Sequence, residues 1–178
     1  MSEAVAASIP DQRRETTVGL AFDQLYRESR DDVYAYAAGM LRDSAAAEEV
    51  TATAFERAYR KRARFNPGRG SARAWLFGIA RNAALDELRR RGRQAKLVDG
   101  DLADLSMPDP NHQSELRLVL AGAVGTLTGG ERELIALKFF AGLSNTEIGG
   151  VLGTSESNVG TRLHRTVNKL REALDGDA

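Results

Sequence analysis

The sequence predicts an all-α protein built as two small helical domains joined by a flexible acidic linker. Three observations predict it. Apolar residues recur at three- and four-residue spacings over most of the chain, and nowhere do apolar and polar residues alternate as in a strand. Two Ser/Thr-x-x-Glu pairs stand directly ahead of apolar runs, which marks a helix start. Between the helical halves, residues 94–113 gather two prolines, a glycine and most of an acidic cluster.

Residues 1–20 show no periodicity and are expected to form an N-terminal tail. From Phe22 a helix is predicted, with Leu25, Val33, Tyr36, Ala37, Met40 and Leu41 at helical spacing. Asp43 or Ser44 caps a second helix in which Ala47, Val50, Ala54 and Ala58 follow one another. "FNPGRGS", 65–71, reads as a loop, with Ser71 as N-cap of a long helix, "ARAWLFGIARNAALDELRRRGR". That helix has apolar residues on two sides, as in a helix packed between neighbours, and Trp75 falls on the core stripe with Ile79. Ser114–Leu127 is predicted helical again. Thr128 with Glu131, and Ser144 with Glu147, form capping boxes ahead of "LIALKFF" and "IGGVLG".

The corner "LGTSESNVGTRLHR", 152–165, carries the first chemistry. Gly153 ends one helix in the left-handed conformation that glycine adopts without penalty, and Ser155 caps the next. Val159, Leu163, Val167 and Leu170 then face inward. Ser155, Ser157, Asn158, Thr161 and Arg165 face out with Arg162 at the flank, while Gly149 is small enough for two helices to approach. This is the layout of a helix-turn-helix, whose second helix lies in a DNA major groove. Arg pairs bidentately with guanine and Asn with adenine, and Ser and Thr hold phosphates or base edges.

Charge is segregated although the net charge is zero. Phe22–Glu56 holds three Arg against eight acidic residues; residues 57–96 hold thirteen Arg or Lys against Asp86 and Glu87; 97–115 holds five acidic residues and no basic one. Such a field is either a solvated helix face or the footprint of a partner. In the long helix Arg73, Arg81, Arg89, Arg90, Arg91 and Arg93 supply a cationic groove suited to a nucleic-acid backbone. Asn82 and Asp86, four apart, can bond each other or hold the following loop.

Other classes are excluded on composition. No cysteine is present, which removes disulfides, thiol nucleophiles and cysteine-bound zinc and fits a reducing cytoplasm. No run approaches the ~20 apolar residues of a membrane span, and no secretory signal is visible at the N-terminus. His112 falls in the linker and His164 on the recognition helix; neither has a catalytic pair, and no phosphate loop or carboxylate cluster points to an enzyme, a cofactor, a metal or a small-molecule substrate.

The segment "LTGGERELIALKFFAGLSNTEIGGVLGTSESNVGTRLHRTVNKLREAL" resembles region 4 of bacterial sigma factors of the extracytoplasmic-function (ECF) type. "FDQLYRESRDDVYAYAAGMLRDSAAAEEVTATAFERAYR" with "ARAWLFGIARNAALDELRRR" resembles their region 2, and together the match covers about residues 21–174. The resemblance implies a promoter-specificity subunit of core RNA polymerase, acting in the cytoplasm. Region 2 would be 21–95, the linker 96–113 and region 4 114–176. Region 4 would bind the polymerase flap and read the minus-thirty-five duplex through the outward residues above. Region 2 would bind the clamp helices and capture the melted non-template strand of the minus-ten element with Arg73, Arg81, Asn82, Arg89, Arg90, Arg91 and Arg93. A base-capturing loop is expected near Leu88–Lys96. The polymerase-facing positions correspond to Glu48, Glu49, Ala52, Thr53 and Arg57; Ala52 and Thr53 depart from the Gln and acidic residue often found there. An anti-sigma partner is typical of the family, and the acidic stretch either mimics nucleic acid in the polymerase channel or is simply solvated. The alternative is a stand-alone helix-turn-helix regulator with an N-terminal sensing or dimerisation lobe.

Overall fold

The structure, a computed structural model, describes the backbone of residues 9–97 and 122–175 and the side chains of 21–94 and 122–175. Most of the expected linker, His112 and the start of the helix expected from Ser114 lie outside the described residues. Every regular element among the described residues is helical.

Three helices form the N-terminal lobe: α1 (Ile9–Leu41), α2 (Ser44–Lys61) and α3 (Ala72–Leu97). Helix α1 begins well before the expected Phe22. Pro10 sits in its first turn, where a missing N–H costs nothing, and the Gln, Arg and Glu residues that follow are tolerant helix formers. The chain leaves α1 through Arg42, at φ 54°, and Asp43 caps α2 by accepting from the Ala46 N–H. Two 3₁₀ turns, Arg62–Arg64 and Pro67–Arg69, make the expected loop. Ser71 then caps α3, its hydroxyl oxygen accepting from the Ala74 N–H at 3.1 Å.

The C-terminal lobe holds a helical turn at 122–125, α4 (Gly129–Ile135), α5 (Asn145–Leu152) and α6 (Glu156–Asp175). Both capping boxes form: Thr128 with Glu131 opens α4, and Ser144 with Glu147 opens α5. "LIALKFF" departs from a plain α-helix, because Ala136–Phe140 is a π segment in which the Ala141 N–H reaches the Ala136 carbonyl. The wider turn keeps Leu137, Ala141 and Leu143 buried while Phe139 and Phe140 turn outward, 63% and 47% exposed.

The lobes are not held apart. One core cluster runs through both, joining Val33, Tyr36, Leu76 and Phe77 to Leu134, Leu137, Ile148 and Val159. A smaller cluster around Leu41, Ala47, Val50 and Ala84 belongs to the N-terminal lobe alone.

Candidate nucleic-acid interface

The corner between α5 and α6 is set by backbone. Gly153 stands at φ 67° and caps α5, and the Gly153 and Thr154 N–H groups both bond the Gly149 carbonyl. A Cβ on Gly149 would come within 2.7 Å of the Thr154 carbonyl oxygen, so only glycine lets the helices approach this closely. Ser155 caps α6, accepting from the Asn158 N–H at 3.2 Å. Val159 and Leu163 are buried beneath, joined by Thr166, whose hydroxyl bonds the Arg162 carbonyl. Ser155, Ser157, Asn158, Thr161 and Arg165 are exposed along α6, and Arg162 is partly buried at its flank. His164 is exposed beside Asn168.

The cations of α3 divide into two sets. Arg73 and Arg81, expected in the open groove, lie between the lobes. Arg73 pairs with Asp32 and donates to Ser29 Oγ at 3.2 Å and to the Phe140 and Ala141 carbonyls across the interface. Arg81 Nε meets Glu133 Oε1 at 2.7 Å, and the buried Tyr36 hydroxyl donates to the same oxygen at 3.2 Å. Burial, reinforced by the Glu133 charge, pushes the Tyr36 phenol well above its usual range. Arg89, Arg90 and Arg93 are exposed, and Arg91 is partly buried against Glu87 and Asp43. Hydrogen bonds from Arg90 and then Arg91 lower Glu87 from 4.5 to about 2.

The loop expected at Leu88–Lys96 is not a loop. Glu87 to Arg90 and Arg91, and Arg90 to Gln94, are three- and four-residue pairs that carry α3 on to Leu97. A concave site lies at the other end of the helix, a cavity of about 720 Å³ lined by the 65–71 loop. Phe65 and Trp75 lie in its wall with ring centroids 5.4 Å apart, joined by Arg64, Arg69 and the exposed Asn82. Trp75 is half-buried: it packs against the core, as its stripe with Ile79 predicts, and its exposed side lines the cavity. Asp86 bonds Arg57 at 3.0 Å and Arg89 at 3.4 Å rather than Asn82. Sequence reasoning passed over Arg64, Phe65 and Arg69; an aromatic between cations in a glycine-bearing loop was the available signal.

Glu48, Glu49 and Ala52 are exposed, and Thr53 and Arg57 partly so, on the outer face of α2. Among the described residues no His, Cys, Asp or Glu cluster suits a metal ion, and no helix is long and apolar enough to cross a membrane.

Comparison with known proteins agrees with this layout. Residues 25–94 match Sigma-70 region 2, and 117–170 match Sigma-70, region 4. The chain is 28% identical over 155 residues to the ECF RNA polymerase sigma factor SigM of Bacillus subtilis, covering 85% of this chain and 94% of that one. It is 32% identical to the ECF sigma factor SigL of Mycobacterium tuberculosis, covering 84% and 86%. The sigma factor RpoE of Bartonella quintana, crystallised with the anti-sigma factor NepR, superposes with a TM-score of 0.74 at 26% identity, covering 89% of this chain and 99% of that one. A cationic three-helix lobe followed by a helix-turn-helix matches both family models in their order: the chain is an ECF RNA polymerase sigma factor.

Proposed function

We propose that this sigma factor directs promoter-specific initiation by dividing the work between its lobes. The outer face of α2, through Glu48, Glu49, Ala52, Thr53 and Arg57, meets the clamp helices of core RNA polymerase, and region 4 meets the flap. Helix α6 enters the major groove of the upstream element, with Ser157, Asn158, Thr161 and Arg165 toward the DNA and Arg162 at the flank. Region 2, taken as 21–95, holds the melted non-template strand, and region 4 runs over 114–176 with a tether between them. The protein acts in the cytoplasm beside the polymerase and is a regulator, not an enzyme. The sigma factor crystallised with NepR supports an anti-sigma partner here as well.

The observation that carries this reading is the exposed polar face of α6, fixed by the Gly149 corner, in a chain that also matches region 2. The cavity refines it. Aromatic rings beside cations and an amide are what an extruded base needs, and stacking offsets the few kcal/mol spent in unstacking it. We assign base capture to Phe65, Trp75 and Asn82, with Arg64 and Arg69 on the backbone. Run-off transcription with core polymerase on genomic fragments, with and without this protein, tests the proposal. A new promoter-specific transcript is expected; its absence from every fragment refutes the reading.

A further inference from the structure

Residues 156–165 of the recognition helix hold two arginines, Arg162 and Arg165, and one acid, Glu156, which is exposed in the first turn. A carboxylate on a face that approaches a polyanion repels it, unless the carboxylate is set opposite a hydrogen-bond donor. Helix capping does not account for this acid. Ser155 caps α6 through the Asn158 N–H, and a capping-box glutamate would stand at 158 rather than 156.

What holds Glu156 is a hydroxyl from the other helix of the corner. Thr146 Oγ1, in the first turn of α5, donates to Glu156 Oε2 at 2.9 Å. The bond fixes the direction of the carboxyl and engages one of its two oxygens. One turn further along α6, Gly160 leaves the same flank bare. A Cβ there would meet only the Asn145 amide nitrogen, at 3.7 Å, which is an ordinary contact. Packing within the lobe therefore does not demand glycine, although glycine weakens a helix interior. The missing side chain leaves space beside Glu156 for a group that arrives from outside.

We propose that Glu156, aimed by Thr146, is a specificity determinant for the upstream element: its carboxylate accepts a hydrogen bond from the exocyclic amine of a cytosine in the major groove. This rests on the reading that places α6 in that groove. Side chains at the N-terminal end of a recognition helix are the ones that reach base edges. An ionised carboxylate can only accept. Guanine and thymine turn acceptors toward the groove and are rejected; adenine sets the N7 acceptor beside its N6 donor; cytosine offers the N4 donor alone. Glu156 thus selects by repulsion from three letters as much as by attraction to one.

The test uses the full chain bound to core RNA polymerase, on the promoter fragment recovered by run-off transcription. Each base pair of its upstream element is replaced in turn by the other three, and holoenzyme binding is measured by competition. The native chain is expected to favour cytosine at one position by about ten-fold over the other letters. Glu156→Ala levels that position and leaves the preferences at the others as they were. Glu156→Gln moves the preference to adenine, because an amide donates to N7 while it accepts from N6. A merely structural acid could not produce that change of letter. Thr146→Val keeps cytosine but narrows its advantage to about three-fold, since one hydrogen bond to the carboxyl is lost. A native profile that favours cytosine nowhere overturns the proposal, as does a cytosine preference that survives Glu156→Ala. So does a loss spread evenly over all sequences in that variant, or a Glu156→Gln holoenzyme that still favours cytosine. In each of these cases other base pairs still matter and α6 stays in the groove. A native profile indifferent to every upstream base pair overturns the groove reading and the proposal together.

Discussion

The tandem Gly149–Gly150 makes two neighbouring substitutions opposite in sign. In an unhindered helix, Gly→Ala gains about 1 kcal/mol of propensity. At Gly150 that gain should be realised, because a Cβ there meets nothing within 4 Å. At Gly149 the new carbon would lie 2.7 Å from the Thr154 carbonyl oxygen and 3.5 Å from the Glu156 nitrogen, both backbone atoms that cannot rotate away. The same turn directs the Gly153 and Thr154 N–H groups onto the Gly149 carbonyl, so moving it strains two hydrogen bonds. Forced overpacking costs about 1–3 kcal/mol. Set against the propensity gain, Gly149→Ala should destabilise the chain by up to about 2 kcal/mol, while Gly150→Ala stabilises it by up to about 1 kcal/mol. For a chain of this size the midpoint should fall by up to about 4–8 °C in the Gly149 variant and rise by up to about 2–4 °C in the Gly150 variant. Thermal unfolding followed by circular dichroism, under conditions where refolding is reversible, reads both shifts. The effect extends to function, since a displaced α6 reduces upstream-element binding by holoenzyme in the Gly149 variant alone. Equal shifts of the same sign would refute the close-approach reasoning.

Three further outcomes are expected. Arg165→Ala in holoenzyme should cost about 1–3 kcal/mol at the upstream element if the side chain reads a base. Competition binding against sequences altered one base pair at a time checks this, because a loss uniform across sequences means that the side chain holds a phosphate. Gly153→Ala, at φ 67°, should lower stability by about 1–2 kcal/mol in denaturant titration, since the left-handed region penalises a Cβ. Glu87 gives a pH dependence of definite sign. Its side chain is 11% exposed and its carboxyl is lowered from 4.5 to about 2 by hydrogen bonds from Arg90 and then Arg91, so its stabilisation is complete above about pH 4.5 and lost as pH falls toward 2. Solvent screening at the half-exposed Arg90 holds this contribution to about 1 kcal/mol. Glu87→Gln should therefore flatten the acid limb of the stability curve measured by urea unfolding.

Helix positions, caps and the helix-turn-helix corner were legible because each is written in a few adjacent residues. Asp43, Ser71, Thr128, Ser144 and Ser155 all cap as the spacing predicts, and Gly149 and Gly153 do what only glycine can do there. What sequence could not supply is which distant groups meet. Glu133 is three residues from Gly130 and reads as part of a helix start, yet it is the buried acceptor for Tyr36 and Arg81 from two other helices. Arg73 and Arg81 share the composition of Arg89 and Arg93, so a charge count sorts them together; tertiary packing alone separates them. The extension of α1 to Ile9 and of α3 to Leu97 was missed for another reason. Amphipathic spacing finds helix that is buried, whereas these ends are carried by polar residues with adequate propensity.

A chain with zero net charge can still engage a polyanion if its cations are sorted, and the structure sorts them. Arg57, Arg81, Arg90 and Arg91 pair with acidic groups of the N-terminal lobe or of Glu133, while Arg64 and Arg69 have no ion pair among the described residues and stand at the cavity. The two sets should respond differently to removal. Arg64→Ala with Arg69→Ala deletes exposed charge, so unfolding free energy should stay within about 0.5 kcal/mol for each site. Single-strand binding should weaken, and the slope of log affinity against log salt should fall by about 1.4, at about 0.7 for each phosphate that is no longer neutralised. Arg81→Ala instead strands the Glu133 carboxylate, which is 10% exposed, and breaking such a pair costs about 3–5 kcal/mol in a fully buried setting. Part of that loss should be recovered in Arg81→Ala with Glu133→Gln, which removes the orphaned charge. If the Arg64 and Arg69 variant unfolds as readily as Arg81→Ala, or keeps the full salt slope, the exposed cations are structural and the cavity is not where the strand is held.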